Sequence, residues 1–401
     1  MQLQKTVILM TVFIDAMGIG LIVPVMPDLI QDVTGGSIAN AALWGGVLTT
    51  AFAVMQFLFG PLVGALSDRY GRRPVLLISL VVLTADYIVM ALAGTIWLLL
   101  AGRVVGGLTA ATQSTATAYI ADITEPGKKA QSFGLIGAAF GLGFVAGPLI
   151  GGVLGEFGTR APFLAAAALA AANAIIGYFV LRETVTDATR LPFRLRNANP
   201  FAAFRGLAAL PGIERGLWVY FLYQLAFTVY PAVWAYFCVA RFGWDPAMIG
   251  LSLGLFGITM AIIQGGAIGL IVRHLGAVGT VRFGLIFDIV IFGAIAFVPS
   301  GTMLLILTPV AALGAVITPA LTGILSDTVG VQRQGTLQGV MTSTNAVSMV
   351  LSPLLMTGVF AAATAEGGPI DLPGAPFLVS LVLVAIALFV FRPARNRHAV
   401  A

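Results

Sequence analysis

Charge is the scarcest property of this 401-residue chain. Only 9% of its residues are Asp, Glu, Lys or Arg, against roughly 25% in a soluble globular protein. With 59% hydrophobic residues and a mean hydropathy of +1.01, water cannot be the solvent for most of its surface. A single cysteine, Cys238, excludes an intrachain disulfide framework and a cysteine metal cluster, and reads as a small buried hydrophobe. The two histidines, His274 and His398, fall in basic loop or tail segments. No histidine is therefore available inside an apolar run as a metal ligand or proton relay, or to assist a hydrolytic nucleophile. No G-x-x-x-x-G-K-[ST] occurs anywhere, so the chain carries no ATP-binding loop of that kind. Energy must come from a gradient or a separate subunit. Segments of about ten alternating residues, the mark of a membrane β-barrel, are missing as well.

What is present is a series of long apolar runs. A spanning helix needs about 20 mostly apolar residues, and twelve runs qualify: about 6–26, 42–66, 74–94, 97–121, 132–155, 161–181, 216–240, 247–272, 279–298, 302–326, 335–360 and 373–391. The first contains Asp15 and lacks a small-residue cleavage site, so it reads as a retained span rather than a signal peptide. The 48 glycines and 20 prolines lie largely inside these runs, as in membrane helices whose backbones pack closely.

A sequence pI near 9.6 raises a nucleic-acid reading, but the basic residues sit in short loops. RYGRR (69–73), KK (128–129), the 182–215 segment, Arg273, Arg282, Arg333 and the RPARNR tail all fall on one side of the predicted topology. By the positive-inside rule that side, with both termini, is cytoplasmic. No nucleic-acid partner is expected; the lipid bilayer is.

The only long polar connection, basic and containing Pro192 and Pro200, divides the spans six and six. The expected organisation is a six-helix bundle over 1–182, a cytoplasmic linker over 183–214, a second bundle over 215–392 and a tail over 393–401. The halves also repeat. A shift of 205 carries Gly134 to Gly339, Pro148 to Pro353, Asp122 to Asp327, Gly64 to Gly269 and Gly71 to Gly276. Parallel six-helix repeats are the signature of transporters that rock about a midplane site.

GALSDRYGRRPVLL (64–77) fills the turn between the second and third spans. Gly64 and Gly71 permit a tight backbone, while Asp68 and the arginines 69, 72 and 73 supply opposite charges that can latch helix ends. Taken alone, the arginines also fit an ordinary positive-inside loop. The full spacing resembles motif A of the major facilitator superfamily. FIDAMGIGLIVPVMP (13–27) resembles the first-span motif of its twelve-helix drug/proton antiporters. GRVVGGLTAA (102–111) resembles motif B, with Arg103 as its arginine. GLGFVAGPLIGG (141–152) is similar to motif C, the antiporter signature, with Gly143, Gly147, Pro148 and Gly151. DAMGIGLIVPVMP, SDRYGRRPVLL, AGRVVGGLTAAT, TAYIADIT, FGLGFVAGPLIGG, MIGLSLGLFGI, ITPAL and QGTLQG…LSPLL read like the tetracycline/proton antiporters over nearly the whole chain.

The resemblance implies an all-α major facilitator fold with twelve spans in two bundles, located in the bacterial cytoplasmic membrane. It implies a secondary antiporter, not an enzyme, that exports tetracycline-like drugs in exchange for protons. No cofactor is implied as permanently bound; a divalent cation is expected to travel with the drug as a chelate. The family's three membrane acids fall on Asp15, Asp86 and Asp288, and Asp122 in TAYIADIT belongs with the latch. The chain departs from the family pattern in two places. Met260 stands where the family has a histidine in its eighth span, and GLTAATQS replaces G-I-T-G-A-T-G-A, bringing Ala110 and Gln113. These departures keep a multidrug or other small-molecule antiporter open as the alternative. A passive channel, by contrast, would need no titratable groups.

The residues support the same direction independently. An ionised acid near a bilayer centre costs about 2.5–3.5 kcal/mol on insertion scales, so one retained there lines a cavity, meets a cation or carries a proton. Asp288, in FGLIFDIVIFGAIAF, and Asp86, in TADYIVM, are such acids; Asp15 faces the same cost and can instead be structural. Arg103 reads either as a snorkelling cation or as part of the proton-coupling site. The amides Gln56, Gln113, Gln224, Gln264 and Asn345 are candidates for ligand contact or for glue between helices. WVYFLYQLAFTVYPAVWAYF (218–237) offers aromatics that can stack on a flat polycyclic drug, Tyr223 and Trp234 first, or that simply pack.

Overall fold

In the computed structural model, residues 2–110, 112–187, 190, 193, 199–330, 333–365, 367 and 371–391 are described. The expected tail over 393–401 and the linker residues 188–189, 191–192 and 194–198 lie outside the described residues. Every regular element is helical: α1 Gln2–Ile22, α2 Met26–Thr34, α3 Ile38–Tyr70, α4 Arg72–Leu92, α5 Ile96–Thr109, α6 Thr112–Ile123, α7 Lys129–Gly155, α8 Ala161–Val180 and the short α9 Ala202–Arg205. They continue with α10 Glu214–Phe227, α11 Val229–Phe242, α12 Pro246–Ile262, α13 Ile268–Ala296, α14 Gly301–Ala311, α15 Ile317–Val329, α16 Gln334–Ala363 and α17 Ala375–Val390. Among the described residues, ten stretches are long and apolar enough to cross a membrane. One of them, Pro246–Ala296, has 51 residues. At 1.5 Å per residue it would reach about 75 Å, more than twice the roughly 30 Å hydrocarbon core. It is broken at Gly276, whose φ of 68° and ψ of 163° are not helical. The 16-residue α17 is apolar but shorter than a full span.

Several predicted runs are single pieces in hydropathy but not in backbone. The first continues past Pro24 and Pro27 through a 3-10 turn into α2 and stops at Gly35, in the left-handed region. Proline lacks the N–H that a helix interior requires, yet is tolerated in a first turn. The run at 97–121 breaks between α5 and α6, that at 216–240 breaks at Thr228, and that at 302–326 passes through a 3-10 segment at Ala312–Val316. Hydropathy reports the solvent of a side chain and is blind to such breaks.

The end of the molecule away from the 183–214 segment is capped by short side chains. Ser37, Thr95, Asp245 and Ser300 each accept a hydrogen bond from a backbone N–H in the first turn of α3, α5, α12 and α14. These caps recur at near the shift read from the sequence, Ser37 with Asp245 and Thr95 with Ser300. So do the left-handed glycines Gly35 (φ 63°) and Gly243 (φ 62°), and the turn glycines Gly71 (φ 115°) and Gly276 (φ 68°).

Two sets of helices pack internally. α1 lies on α7 and α8, α4 on α5 and α8, and α3 on α5; α13 lies on α15 and α17, and α10 on α16 and α17. The sets meet along two seams, α3 with α16 and α11, and α7 with α12. The seams sit at the far end, opposite 183–214. There Gly45 abuts the Tyr236 hydroxyl, Gly46 abuts Thr357, and the Thr50 hydroxyl donates to the Val350 carbonyl at 3.2 Å. Gly152, Gly250, Gly254 and Gly257 bring α7 and α12 into backbone and methyl contact. Toward the other end the same helices part. Open space adjoins Gly60 and Gly64 on α3, Gly134, Gly137 and Gly141 on α7, and Gly265, Gly266 and Gly269 beyond α12. The result is a cleft between the two sets, open toward 183–214.

The glycines of α7 thus differ in what they meet. A methyl added at Gly147 would lie 2.5 Å from the Met17 carbonyl and 2.8 Å from the Gly20 backbone, whereas none of that kind adjoins Gly141. Gly147→Val is expected to destabilise the protein by about 1–3 kcal/mol, the usual range for overpacking, and Gly141→Val to leave stability nearly unchanged. Thermal unfolding of the two variants in detergent checks the contrast.

Candidate functional site

Each set of helices seats one carboxylate against a neighbouring backbone. In the first set Asp86, on α4, is 3% exposed and faces α5. A methyl at Gly102 would lie 2.9 Å from one carboxylate oxygen, and one at Gly106 2.8 Å from the other. The glycines of GRVVGG are thus needed where α4 and α5 meet. Arg103 on α5 is also buried, and its guanidinium forms an ion pair with Asp86. The Phe52 ring on α3 covers that guanidinium with 5.2 Å between centroid and Cζ, a cation–π arrangement. The second Asp86 oxygen and the Arg103 Nε have no hydrogen-bond partner among the described residues. Asp15, half-buried on α1, has no side-chain hydrogen bond among the described residues but shares the neighbourhood of Tyr87, which lies within electrostatic reach of Asp15, Arg103 and Asp86. Asp15, Tyr87, Asp86 and Arg103 therefore form one cluster. Arg103 does not snorkel.

The second set repeats the seat without the cation. Asp288 on α13 is 3% exposed, with its carboxylate in the notch left by Gly314 in the 3-10 segment after α14. Among the described residues no ion pair reaches it. Its titratable neighbours are Tyr223, whose hydroxyl donates to the Gly314 carbonyl at 3.1 Å, and Tyr230. The structure thus keeps Asp288 apart from the Asp15–Asp86–Arg103 cluster, in the opposite set of helices. Counted from the 183–214 end, all three acids lie roughly 20 Å deep at 1.5 Å per residue.

The amides occupy the helix breaks. Gln56 on α3 donates to the Ala110 carbonyl at 3.0 Å, where α5 ends. Gln264 donates to the Ala315 carbonyl at 3.4 Å, in the irregular segment after α14. The two contacts are repeat-related, and each satisfies a carbonyl that a broken helix leaves free. Gln264 itself sits in a π-turn, Ile263–Ala267, a distortion frequent at functional sites. Gln56, Gln113 and Gln264 are exposed. Gln224 donates to Asn345 at 2.6 Å and accepts from the Thr318 hydroxyl at 3.4 Å, forming a half-buried polar group. Tyr223 and Trp234, expected as ligand contacts, are each 1% exposed inside the second set. The Trp234 indole donates to Ser252 at 2.9 Å and its ring packs on Phe377. In this conformation both are interior packing, not cleft wall.

The motif A residues form a charged knot at the 183–214 end. Arg72 pairs with Asp68 and reaches Asp122 at 3.3 Å. Arg73 donates to the Tyr178 carbonyl at 2.7 Å, and its guanidinium lies over the Tyr178 ring. Gly71 needs its positive φ, and a methyl there would strike Glu183. Gly64 faces open space and Arg69 is exposed. Glu183 ties the knot together. Its carboxylate accepts from the backbone N–H groups of Arg72, Arg73, Thr184 and Val185 at 2.9–3.2 Å, and so caps α4 from the end of α8. An acid directly after an apolar run was the available sequence signal for it. In motif C, Gly143, Gly147 and Gly151 lie on the backbone of Phe13, Met17 and Leu21 in α1, while the Pro148 carbonyl abuts Gly250.

Sequence reasoning missed Phe52, Tyr87, Gly314 and Tyr230. Each looks like one more apolar or aromatic residue in its run, and no spacing distinguishes it.

Comparison with known proteins agrees with this geometry. The family model of the Major Facilitator Superfamily matches residues 8–353. The class C tetracycline resistance protein of Escherichia coli is 40% identical over 98% of this chain and 96% of its own. Multidrug resistance protein 2 of Bacillus subtilis is 29% identical over 88% of each. The crystal structure of the human organic anion transporter MFSD10 superposes with a TM-score of 0.68 at 27% identity, covering 97% of this chain and 99% of that one.

Removing one partner of a buried ion pair leaves the other uncompensated, at a cost of about 3–5 kcal/mol. Asp86→Asn is therefore expected to lower stability by that amount through the stranded Arg103. The double variant Asp86→Asn, Arg103→Gln is expected to recover most of the loss. Denaturant unfolding in detergent across the double-mutant cycle reads both values.

Proposed function

The chain belongs to the major facilitator superfamily, and from that premise we propose that it is a proton-coupled exporter of tetracycline-like drugs. It is a multi-pass secondary transporter rather than an enzyme, and its relatives include tetracycline resistance and multidrug resistance proteins. The observation that carries the finer reading is Asp288, an acid buried along its helix with no ion pair among the described residues. Such a group is kept in a membrane interior where it exchanges a proton or meets a cationic substrate.

In this reading the chain crosses the cytoplasmic membrane twelve times, counting both arms of Pro246–Ala296 and α17. The halves 1–182 and 215–392 are the moving bodies, 183–214 the cytoplasmic linker and 393–401 a cytoplasmic tail. The excess of Lys and Arg on that side supports this orientation. The cleft then opens to the cytoplasm. Drug, carried as a chelate of a divalent cation that travels with the substrate, enters between the halves near the exposed amides Gln56, Gln113 and Gln264. The paired broken helices α5–α6 and α14–α15 favour that level as the binding site, because discontinuous helices in corresponding positions of two repeats frame substrate sites in such transporters. After release on the far side, a proton loads the acids, the far seam closes, and loss of the proton to the cytoplasm readmits drug. The motif A knot, with Glu183 added to it, latches the cytoplasmic ends when the cleft is shut.

A broader substrate range is the second reading. Met260 in place of a histidine, and Gln113 in a run of small residues, change the chemistry near the expected path. The likeness to a multidrug protein favours the same alternative.

In everted membrane vesicles the protein is expected to accumulate tetracycline under an imposed ΔpH and to stop when a protonophore is added. Asp288→Asn is expected to abolish uphill accumulation. Uptake indifferent to ΔpH rejects the coupling. A susceptibility panel in a strain lacking its own pumps separates the two substrate readings, since resistance confined to tetracyclines excludes the broader one.

A further inference from the structure

Among the described residues of the second set of helices, one fully buried side-chain oxygen lacks a hydrogen-bond partner. Ser352 donates to the Leu225 carbonyl, Ser380 to the Ala226 carbonyl, Thr228 to the Gln224 carbonyl and Trp234 to Ser252. Tyr223 donates to Gly314. The Tyr230 hydroxyl has no hydrogen-bond partner among the described residues, although Tyr230 is only 6% exposed. Its ring is held on every side, by Phe227, Trp234, Phe256, Phe292 and Phe377 at centroid distances of 5.0–6.1 Å. An orphaned buried hydroxyl is costly, and in a native protein it asks for an explanation.

Three neighbours supply one. Asp288 lies within electrostatic reach of this hydroxyl, one helical turn before Phe292, on which the Tyr230 ring packs. Tyr230 lies two residues after Thr228, where α10 ends and α11 begins, and a threonine bonded back to the preceding turn favours a bend. Six residues further along α11, Tyr236 presses its hydroxyl against Gly45 of α3, in the far seam between the two sets. The helix that carries Tyr230 therefore begins at a one-residue irregularity in a longer helical stretch, Glu214–Phe242, and forms part of the seam at its other end.

We propose that Tyr230 is a positioning residue for Asp288: when the far seam parts and α11 swings about Thr228, its hydroxyl donates a hydrogen bond to the deprotonated Asp288 carboxylate. Protonation of Asp288 weakens that charge-assisted bond, releases α11 and lets Tyr236 return to Gly45, which is the arrangement seen here. The tyrosine keeps its own proton throughout; the exchanged proton comes from water at the open far side. No other group competes for the role. Facing Asp288 from α10 and α11, the titratable groups are Tyr223 and Tyr230. α12, α14 and α17 contain no titratable or charged residue, and the charges of α10, α11 and α15 (Glu214, Arg215, Arg241 and Asp327) lie toward the helix ends; on α13, Arg273 and His274 precede the Gly276 break, and Arg282, six residues before Asp288, is exposed. The inference rests on the reading of Asp288 as a proton-exchanging group.

The test uses the full-length protein in proteoliposomes, with drug transport rate followed against pH on the far side. Tyr230→Phe removes an atom that bonds nothing in the closed seam, so its unfolding temperature is expected to match or exceed wild type. Tyr223→Phe, which loses the bond to Gly314, is expected to be less stable. Without the donor, the carboxylate takes its proton more readily. The far-side pH of half-maximal transport is therefore expected to rise by about one unit in Tyr230→Phe, the size of one charge-assisted hydrogen bond. The KM for drug at the opposite face is expected to stay within about twofold, that face being remote from the change. An unshifted profile in Tyr230→Phe, with Asp288→Asn inactive in uphill transport, overturns the role of Tyr230 and leaves the coupling reading intact. Uphill transport by Asp288→Asn overturns both. A Tyr230→Phe protein that unfolds shows the hydroxyl to be structural, and also overturns the proposal.

Discussion

An uncompensated charge is the one thing a membrane interior does not tolerate, and the arrangement of this protein follows from how its few buried charges are handled. Asp86 is neutralised in place: Arg103 pairs with it, Phe52 covers the pair, and Gly102 and Gly106 let the helices close over it. Asp288 sits in an equivalent notch, against Gly314, with tyrosines in place of an arginine. Burying a lone carboxylate costs several kcal/mol more than burying a paired one. The repeat therefore supplies the same seat twice, and the chemistry departs from symmetry at the group opposite the acid.

Glycine is the means by which both the seats and the seams are built. α7 carries two glycine faces. One, Gly143, Gly147 and Gly151, brings α1 within reach of its backbone; the other, with Gly152 and Gly155, meets Pro246 and Ala247 of α12. The first face is internal to one set of helices, and the second lies between the sets. Lipid chains are as apolar as leucine, so helices in a membrane gain little by hiding apolar surface from lipid and associate through close packing instead. A helix face without side chains allows that packing, and it allows separation without stranding polar groups.

Much of this was legible in the chain before its coordinates. The apolar runs, the one-sided distribution of lysine and arginine, and the shift of 205 all report solvent and repetition, which side-chain type encodes directly. The glycines of motifs B and C were legible too, as positions of close approach. What stayed hidden depends on which way a side chain points. Phe52, Tyr87 and Tyr230 are single aromatics among 26 phenylalanines and 8 tyrosines, and nothing in their spacing sets them apart. Trp234 and Tyr223 were read as surfaces for a flat ligand, but the structure buries them, because a tryptophan in a helix interior satisfies its N–H as readily from Ser252 as from a drug. The break after Thr109 was invisible because alanine and threonine continue a helix as well as they end one. Only the Gln56 amide on the Ala110 carbonyl gives it away.

The far seam is also a weak one. Across it the hydroxyl of Thr50 on the Val350 carbonyl is a hydrogen bond; the rest of the contact at Gly45, Gly46, Gly152, Gly250 and Gly254 is van der Waals approach to backbone, hydroxyl and methyl groups. Atom pairs of that kind contribute about 0.1–0.2 kcal/mol each, and much of the loss on parting is made good by new neighbours. Two arrangements held by such contacts differ by only a few kcal/mol. A single charge-assisted hydrogen bond, at about 1.5–3 kcal/mol, is then enough to shift their ratio by roughly ten- to a hundredfold. In a seam joined by several salt bridges the same proton would change nothing. The poverty of charge with which the sequence opens is therefore more than an adaptation to lipid: it leaves the balance between two packings within reach of one titrating group.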